Sequence, residues 1–359
     1  MNMLSIGTDR TILRPESPAA HRQIAYGTKF DELNIIICSL RREALSPQTL
    51  SVGVHAYPTA SSSRWLYGLG ALRIARRLPK PDVITAQDPF ETGLIGLIIS
   101  RFLKVPLHVQ VHTDFLAPEF VHHSLLNKVR VMLAGFVLPR AHRIRVVSER
   151  IRKSIDEHYH LRSLITVLPI FVDIERLRTA RAGTLGNTFM RFKKKILVVA
   201  RLEAEKNVEL ALRSFAGAAP KDACLIILGD GSERRNLERL ASKLGVESQV
   251  FFEGEQDALP YYALADLVVV PSSYEGYGMV IVEALAAGKP VLATDVGVAR
   301  EAGAIVATPE KFSTMLASWF AEGMRVGKLM NYPYESFDVY VKAWCADVQS
   351  TTFVSSPKA

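Results

Sequence analysis

The chain has 359 residues, 48% apolar and 22% charged, with a net charge of +8. This is the composition of a folded globular protein and excludes a disordered one; at ~150 residues per domain the length predicts two domains, each able to bury its own core. The opening MNMLSIGTDRTIL lacks a cationic stretch followed by a long apolar one, so no secretory signal is read, and the longest uncharged apolar runs, Thr92–Ser100 and Val131–Pro139, fall well short of the ~18 residues of a membrane span.

Short apolar runs alternate with longer amphipathic ones along the whole chain. In the first half, strands are predicted at Met3–Gly7, Asn34–Ser39, Val52–Ala56, Asp82–Ala86, Leu107–His112, Ile144–Ser148 and Ile165–Leu168, with helices at Arg64–Leu78, Thr92–Leu103, Ser124–Leu138 and Glu149–His158. Runs such as NIIICS are apolar on both faces, as strands covered by helices on both sides should be. The pattern then restarts. Strands are predicted at Lys195–Ala200, Cys224–Leu228, Gln249–Phe252, Leu267–Val270 and Val291–Thr294, and helices at Asn207–Gly217, Glu233–Leu244, Ala258–Ala265 and Met279–Ala287. This alternation predicts an α/β protein of two Rossmann-like, doubly wound parallel sheets facing across a cleft, with ligands at the carboxyl ends of the strands. The expected domains are 1–170 and 171–335, with a C-terminal helix in 336–359 packing back on the first domain.

The charge is uneven. Residues 1–190 hold 25 Lys/Arg against 15 Asp/Glu, and residues 191–359 hold 19 against 21. Ala44–Pro81 and Phe120–Ser148 contain no carboxylate at all. A basic face on the first domain points to an anionic partner, a charged acceptor or a membrane surface, unless these are ordinary solvated helix faces. The second stretch interleaves five Lys/Arg with Leu125, Leu126, Val129, Val131, Met132, Leu133, Phe136 and Val137, more apolar positions than one core-facing stripe needs. Cys38, Cys224 and Cys345 stand far apart in apolar surroundings, which predicts buried free thiols in a reducing cytosol.

The segment richest in chemistry is DLVVVPSSYEGYGMVIVEALAAGKPVLATDVG. The strand stops at Pro271, a loop carries Glu275, Gly276, Tyr277 and Gly278, and the following helix places Glu283 in its second turn before ending at Gly288. The glycines let backbone N–H groups approach a ligand, and the helix start favours negative charge. KILVVARLEAEKN sets Arg201 at a strand end and Lys206 just before a helix, two cations suited to a diphosphate. CLIILGDGSERRNL carries Gly229 and Gly231 after a strand, but a third glycine of a dinucleotide fingerprint would fall at Arg234, so this is not a nicotinamide site. LHVQVHTDF ends a strand at His112. His55, His122, His123, His158 and His160 read as surface residues.

The first of these segments resembles the Glu-x7-Glu frame of family 4 retaining glycosyltransferases of the GT-B fold, here Glu275 and Glu283 within PSSYEGYGMVIVEALAAGKPVLA. The resemblance covers most of residues 1–310 and is strongest over 196–294. It implies a metal-independent hexosyltransferase of polysaccharide or glycolipid biosynthesis. Such an enzyme moves a sugar from a nucleoside-diphosphate sugar to a lipid-linked, saccharide or other hydroxyl acceptor, with no further cofactor. By resemblance, Arg201, Lys206 and the backbone of Gly276, Tyr277 and Gly278 hold the donor diphosphate. Glu283 holds the ribose, Glu275 the sugar hydroxyls, His112 the sugar from the first domain, and Gly229 and Gly231 lie beside the nucleoside. The implied location is cytoplasmic, with peripheral contact at the inner membrane face, and no nucleic-acid partner. The first-strand loop, Ser5-Ile-Gly7-Thr-Asp9, has one glycine where the family often has two, and Gly297-Val298 stands where it has Gly-Gly, so the acceptor side departs from the pattern. No Asp-x-Asp, phosphate-binding Gly-x4-Gly-Lys-Ser/Thr or Gly-x-Ser-x-Gly occurs. The rival readings are a GT-B-fold nucleotide-sugar epimerase or phosphorylase, and a catalytically silent sugar-nucleotide binding protein.

Overall fold

The computed structural model describes residues 1–161 and 163–353. Two compact units divide it, one made of Met1–Pro169 with the chain from Ser336 onward, the other of Ile170–Glu335.

The first unit is built on eight strands: β1 (Asn2–Gly7), β2 (Glu32–Ile37), β3 (Gln48–Ser51), β4 (Val54–Pro58), β5 (Val83–Ala86), β6 (Leu107–Val111), β7 (Arg143–Val146) and β8 (Leu164–Val167). They lie in the order β3-β4-β2-β1-β5-β6-β7-β8, with β3–β4 antiparallel and the other neighbours parallel. Ile35, Ile36 and Ile37 of β2 have no exposed surface, because helices cover both faces. Right-handed crossovers fix which helix goes where. The chain steps one way from β1 to β2 through the helix Pro18–Gly27. It steps the other way from β4 to β5 to β6 to β7 through the helices Tyr67–Ala75, Glu91–Leu103 and Leu125–Val137, which therefore share the opposite face.

Among the differences from expectation in this unit, two have a clear local cause. Val52 does not sit in a strand: with Gly53 at φ +73° it forms the tip of the β3–β4 hairpin, and it is fully exposed. A two-residue turn needing a positive φ explains the glycine. The helix Pro18–Gly27 is not apparent from apolar spacing, since it buries Ala19, Ala20, Gln23 and Tyr26 rather than a row of large aliphatics. Its start is local: the Ser17 hydroxyl accepts from the Ala20 N–H at 3.0 Å, and Pro18 opens the first turn.

The helix Phe337–Ser350 is part of this unit. Trp344 stacks on Tyr26 with ring centroids 4.0 Å apart. Deeper in, the Asp347 carboxylate takes His108 Nε2 at 3.1 Å and Arg143 Nε at 2.5 Å, while His108 Nδ1 lies 2.9 Å from the Thr85 hydroxyl. Burial alone would raise this carboxyl, but the bonds and charges of His108 and Arg143 outweigh it and hold it at about 2. All three free cysteines are buried, and that burial pushes each thiol up to about 12, which leaves them inert.

The second unit holds β9 (Lys194–Val199), β10 (Ala223–Leu228), β11 (Val250–Gly254), β12 (Leu267–Val270), β13 (Val291–Ala293) and β14 (Ile305–Val306). They form an all-parallel sheet in the order β11-β10-β9-β12-β13-β14. Its core joins Ile196, Leu225, Leu267 and Leu292 of the strands to Phe215 and to Phe312, Leu316 and Trp319. The last three come from the helix Pro309–Glu322, an element beyond those expected, which lies on the helix Val208–Ala218 and closes that side of the sheet. The chain runs outward in one direction through β9, β10 and β11 and in the other through β12, β13 and β14. The sheet's switch point therefore falls between β9 and β12, where open α/β sheets bind their ligands.

Replacing Asp347 by Ala should destabilise the first unit by about 3–5 kcal/mol, because the largely buried Arg143 loses its counter-charge and the buried His108 Nε2 loses its hydrogen-bond partner. A carboxyl held at about 2 adds stability that is complete above its unfolded value near 4 and is lost as the pH falls toward 2. Thermal unfolding of wild type and Asp347→Ala should accordingly differ widely at pH 7 and converge as the pH drops below ~4. An equal gap at both ends would separate the ion cluster from the stability of the fold.

Candidate active site

The site residues of the second unit stand on the loops that leave β9, β10 and β12 at their carboxyl ends. After β9, Ala200 still pairs with β10, its N–H bonding the Leu228 carbonyl at 3.0 Å. Arg201 follows with an exposed guanidinium, 3.3 Å from Glu205. The chain then tightens into a short turn, Ala204–Lys206, released by Asn207 at φ +46°. Lys206 points back across the sheet. Its ammonium donates to Glu275 Oε1 at 2.7 Å, and both side chains are only 16% exposed.

Glu275 belongs to the loop between β12 and the helix Met279–Ala286. The Ser272 hydroxyl donates to the same Oε1 at 2.7 Å, and the Thr294 hydroxyl holds the Ser272 carbonyl. The two loops are also joined through the main chain, Ser273 N–H to the Glu205 carbonyl at 2.8 Å. Gly276 and the buried Tyr277 carry the bend, and Gly278 stands at φ +89° as the residue before the helix. The loop is held from its far side by Val298, whose N–H donates to the Tyr277 carbonyl at 2.9 Å. A Cβ at Gly297 would lie 2.3 Å from that same carbonyl, so a side chain there would push the loop outward.

Gly229 and Gly231 have a packing reason of their own. A Cβ on Gly229 would lie 1.9 Å from the Ala200 carbonyl oxygen, and one on Gly231 would lie 2.5 Å from that of Leu202. The loop after β10 therefore lies flat on the loop that carries Arg201, tied further by Ser232 to Glu203 at 2.7 Å.

Glu283 faces a different neighbour. Tyr262 donates to its Oε2 at 2.8 Å, and burial raises its carboxyl above the ordinary range against the lowering effect of that bond. Beside it is a cavity of about 230 Å³ lined in part by Phe171, Val172, Asp173, Arg176 and Leu259. His112 stands in the first unit, one residue past β6. Burial first, then the charges of Arg145, Arg22 and His108, lower its imidazole to about 3, so at neutral pH it is an uncharged hydrogen-bonding group. Among the described residues no three His, Cys, Asp or Glu side chains gather as a metal ion would require.

The structure thus joins Lys206 to Glu275 directly, lays the Arg201 loop against Gly229 and Gly231, and gives Glu283 a separate partner. Sequence reasoning missed Ser272, Thr294 and Tyr262. Ser272, three residues before Glu275, had a local signal, a hydroxyl in reach of the loop's own carboxylate. Tyr262 and Thr294 become neighbours only through the fold.

Residues 32–176 match the family model described as Glycosyltransferase Family 4, and residues 189–304 match that described as Glycosyl transferases group 1. Among curated relatives, the alpha-monoglucosyldiacylglycerol synthase of Streptococcus pneumoniae is 27% identical over 62% of this chain and 54% of that protein. The lipopolysaccharide core biosynthesis glycosyltransferase LpsE of Rhizobium meliloti is 49% identical over 20% of this chain and 21% of its own. The matches to the first of these relatives span about half of their length or less. Among solved structures, Anabaena Alr3699/HepE in complex with UDP aligns with a TM-score of 0.69 at 21% identity over 98% of both chains. Sucrose-phosphate synthase from Thermosynechococcus elongatus aligns with a TM-score of 0.74 at 14% identity over 98% of this chain and 94% of that one. Matched over two successive stretches by these models, and sharing its fold with these structures, the chain belongs to the family 4 glycosyltransferases and has the GT-B fold.

Proposed function

We propose that this protein is a retaining, metal-independent hexosyltransferase that moves a sugar from a nucleoside-diphosphate sugar to a hydroxyl acceptor. The observation that carries the reading is the Lys206–Glu275 pair at 2.7 Å, spanning the two loops at the switch point of the second sheet. A donor diphosphate entering there would take over Lys206, with Arg201 and the backbone N–H groups of Gly276, Tyr277 and Gly278 at the helix start as further donors. Glu275, released from Lys206, would accept hydrogen bonds from the sugar hydroxyls. Glu283, with one oxygen held by Tyr262, offers the other to a ribose hydroxyl. Gly229 and Gly231 keep the loop beneath the nucleoside thin. His112, being uncharged, can bond a sugar hydroxyl without competing with the donor's counter-charges. The fixed cations stabilise the diphosphate as it leaves, the task a metal ion performs in other architectures.

In the reaction proposed, the acceptor oxygen bonds to the sugar's anomeric carbon on the face that the diphosphate leaves. The carbon–phosphate-oxygen bond breaks, and the acceptor's proton passes to the departing diphosphate. The products are a glycoside and a nucleoside diphosphate. The basic charge of residues 1–190 favours an anionic or lipid-linked acceptor, and the lipid in the name of the Streptococcus pneumoniae relative, a monoglucosyldiacylglycerol synthase, supports that choice.

Lys206→Ala and Glu283→Ala should each lower transfer by roughly 30- to 1000-fold, the loss of about 2–4 kcal/mol of transition-state stabilisation. Circular dichroism and thermal unfolding should show both variants folded; turnover at the wild-type rate in either would remove that residue from the site. Activity should also be unchanged in excess EDTA. Loss of turnover on chelation, with recovery on adding Mn²⁺, would contradict a diphosphate held by Lys206 and Arg201 alone.

A further inference from the structure

Strands β6 and β7 carry two rungs of polar side chains on the face covered by the helix Phe337–Ser350. Side chains alternate along a strand, so His108 and Gln110 share one face of β6, and Arg143 and Arg145 share the matching face of β7. The same alternation leads on to His112, one residue past the end of β6. The register sets His108 opposite Arg143 and Gln110 opposite Arg145. An acid closes the first rung, where Asp347 takes His108 and Arg143 together. The second rung has none. Arg145 is 2% exposed, and among the described residues its guanidinium bonds only neutral oxygens: Gln110 Oε1 at 2.8 Å, the Leu168 carbonyl at 2.9 Å and the Pro169 carbonyl at 3.3 Å.

A buried guanidinium bonded to carbonyls keeps its whole positive charge, in surroundings that screen it poorly. Architecture alone would be served by the arrangement two residues earlier, where Asp347 balances Arg143. Gln110 completes the second rung instead. Its Oε1 also accepts from Trp344 Nε1 at 3.3 Å, and its Nε2 donates to the Thr85 hydroxyl at 3.2 Å. The amide is therefore fixed from β5, β7 and the C-terminal helix at once. An amide in place of a carboxylate holds the guanidinium without neutralising it.

His112 is the next side chain on that face. Its ring is partly buried and, among the described residues, makes no hydrogen bond, so both nitrogens are left for a ligand. The charges that act on it are all positive: Arg145 from β7, Arg22 from the helix Pro18–Gly27 and His108 from its own strand. Asp347, the acid of this face, is already shared by His108 and Arg143.

We propose that Arg145 and Gln110 are positioning residues for His112: the amide fixes the guanidinium beside the end of β6, and the unbalanced charge confines His112 to neutral hydrogen bonding. A neutral imidazole can accept from one hydroxyl and donate to another, whereas an imidazolium only donates. This electrostatic arrangement belongs to the first unit by itself; only the use of His112 on a sugar rests on the transferase reading.

Nitrogen-15 NMR of the full chain can follow the histidine rings, with His112 identified by the signal lost in His112→Gln. In the wild type His112 should not titrate between pH 8 and pH 5. Gln110→Glu keeps the size and the bond to Arg145 but supplies the missing acid, and Arg145→Met removes the charge. Each should bring the His112 midpoint up into that window, whereas Arg145→Lys should leave it below. Gln110→Glu preserves the packing, so the test does not depend on Arg145→Met folding. Relative to the wild type at the same pH, both charge-altering variants should keep transfer within about three-fold at pH 8 and lose about ten-fold at pH 5. Comparison at equal pH removes the titration of Glu283, which all forms share. Titration of His112 between pH 8 and pH 5 in the wild type, a midpoint unmoved by Gln110→Glu, or an equal loss of transfer at both pH values would overturn the proposal, the last by making the pair purely structural. Transfer by the wild type with an unmoved midpoint rejects the positioning role alone. A shifted midpoint in a protein that transfers no sugar rejects the transferase reading alone.

Discussion

The ion pair between Lys206 and Glu275 fixes the geometry on which the rest of the second unit's site depends. Two unit charges 2.7 Å apart and largely withdrawn from water would be costly if either were alone. Each therefore holds the other in place, and with them the loops after β9 and β12. The surrounding bonds tighten the same arrangement: Ser272 on the shared Glu275 oxygen, Thr294 on the Ser272 carbonyl, Ser273 on the Glu205 carbonyl. A cation and a carboxylate are thus positioned before any ligand arrives, which is how a site avoids reorganising at the moment of reaction. The glycines serve the same end. Gly229, Gly231 and Gly297 each sit where a Cβ would strike a neighbouring carbonyl, so the loops can lie close enough to share these bonds.

The remaining charged groups divide by solvent access. Arg201 is a well-solvated cation whose bond to Glu205 contributes little to stability and can be exchanged readily. Glu283 is the opposite: partly buried, raised by that burial, and held in orientation by Tyr262. An exposed cation suits capture of a charged ligand, and an oriented carboxyl suits recognition of a hydroxyl pair. In the first unit, charge is used chiefly for architecture. Asp347 joins the C-terminal helix to β6 and β7 through His108 and Arg143, and the buried Arg145 spans Gln110 and the Leu168 carbonyl. Arg145 also adds to the burial that keeps His112 uncharged.

Much of the fold was legible because the strands are apolar on both faces and the helices between them are long. Lys194–Val199 and Ala223–Leu228 fall within one residue of the expected strands. Where the reading failed, the signal was small or tertiary. The Pro18–Gly27 helix buries two alanines, a glutamine and one tyrosine, too few large apolar positions to set a period, so only its start signal, Ser17-Pro18, marks it. The hairpin at Val52-Gly53 hid because Val52 is a strong strand former placed at a turn. Glu275, Glu283, Arg201 and Lys206 were legible from the loops and helix starts they occupy. That Lys206 reaches Glu275 while Glu283 takes Tyr262 depends on strand order, since 69 and 21 residues separate these partners. Strand order across a switch point is set by the packing of the whole sheet and has no local code.

The central claim is that the Lys206–Glu275 pair is the seat of a donor diphosphate. Calorimetric titration of the wild type and Lys206→Ala with a panel of nucleoside-diphosphate sugars and the matching nucleoside monophosphates tests it most directly. The account predicts that at least one diphosphate sugar binds the wild type, that its monophosphate binds far more weakly, and that Lys206→Ala loses most of the difference. Binding of diphosphate and monophosphate with equal affinity, or a Lys206→Ala variant that binds the diphosphate sugar as tightly as the wild type, would contradict it.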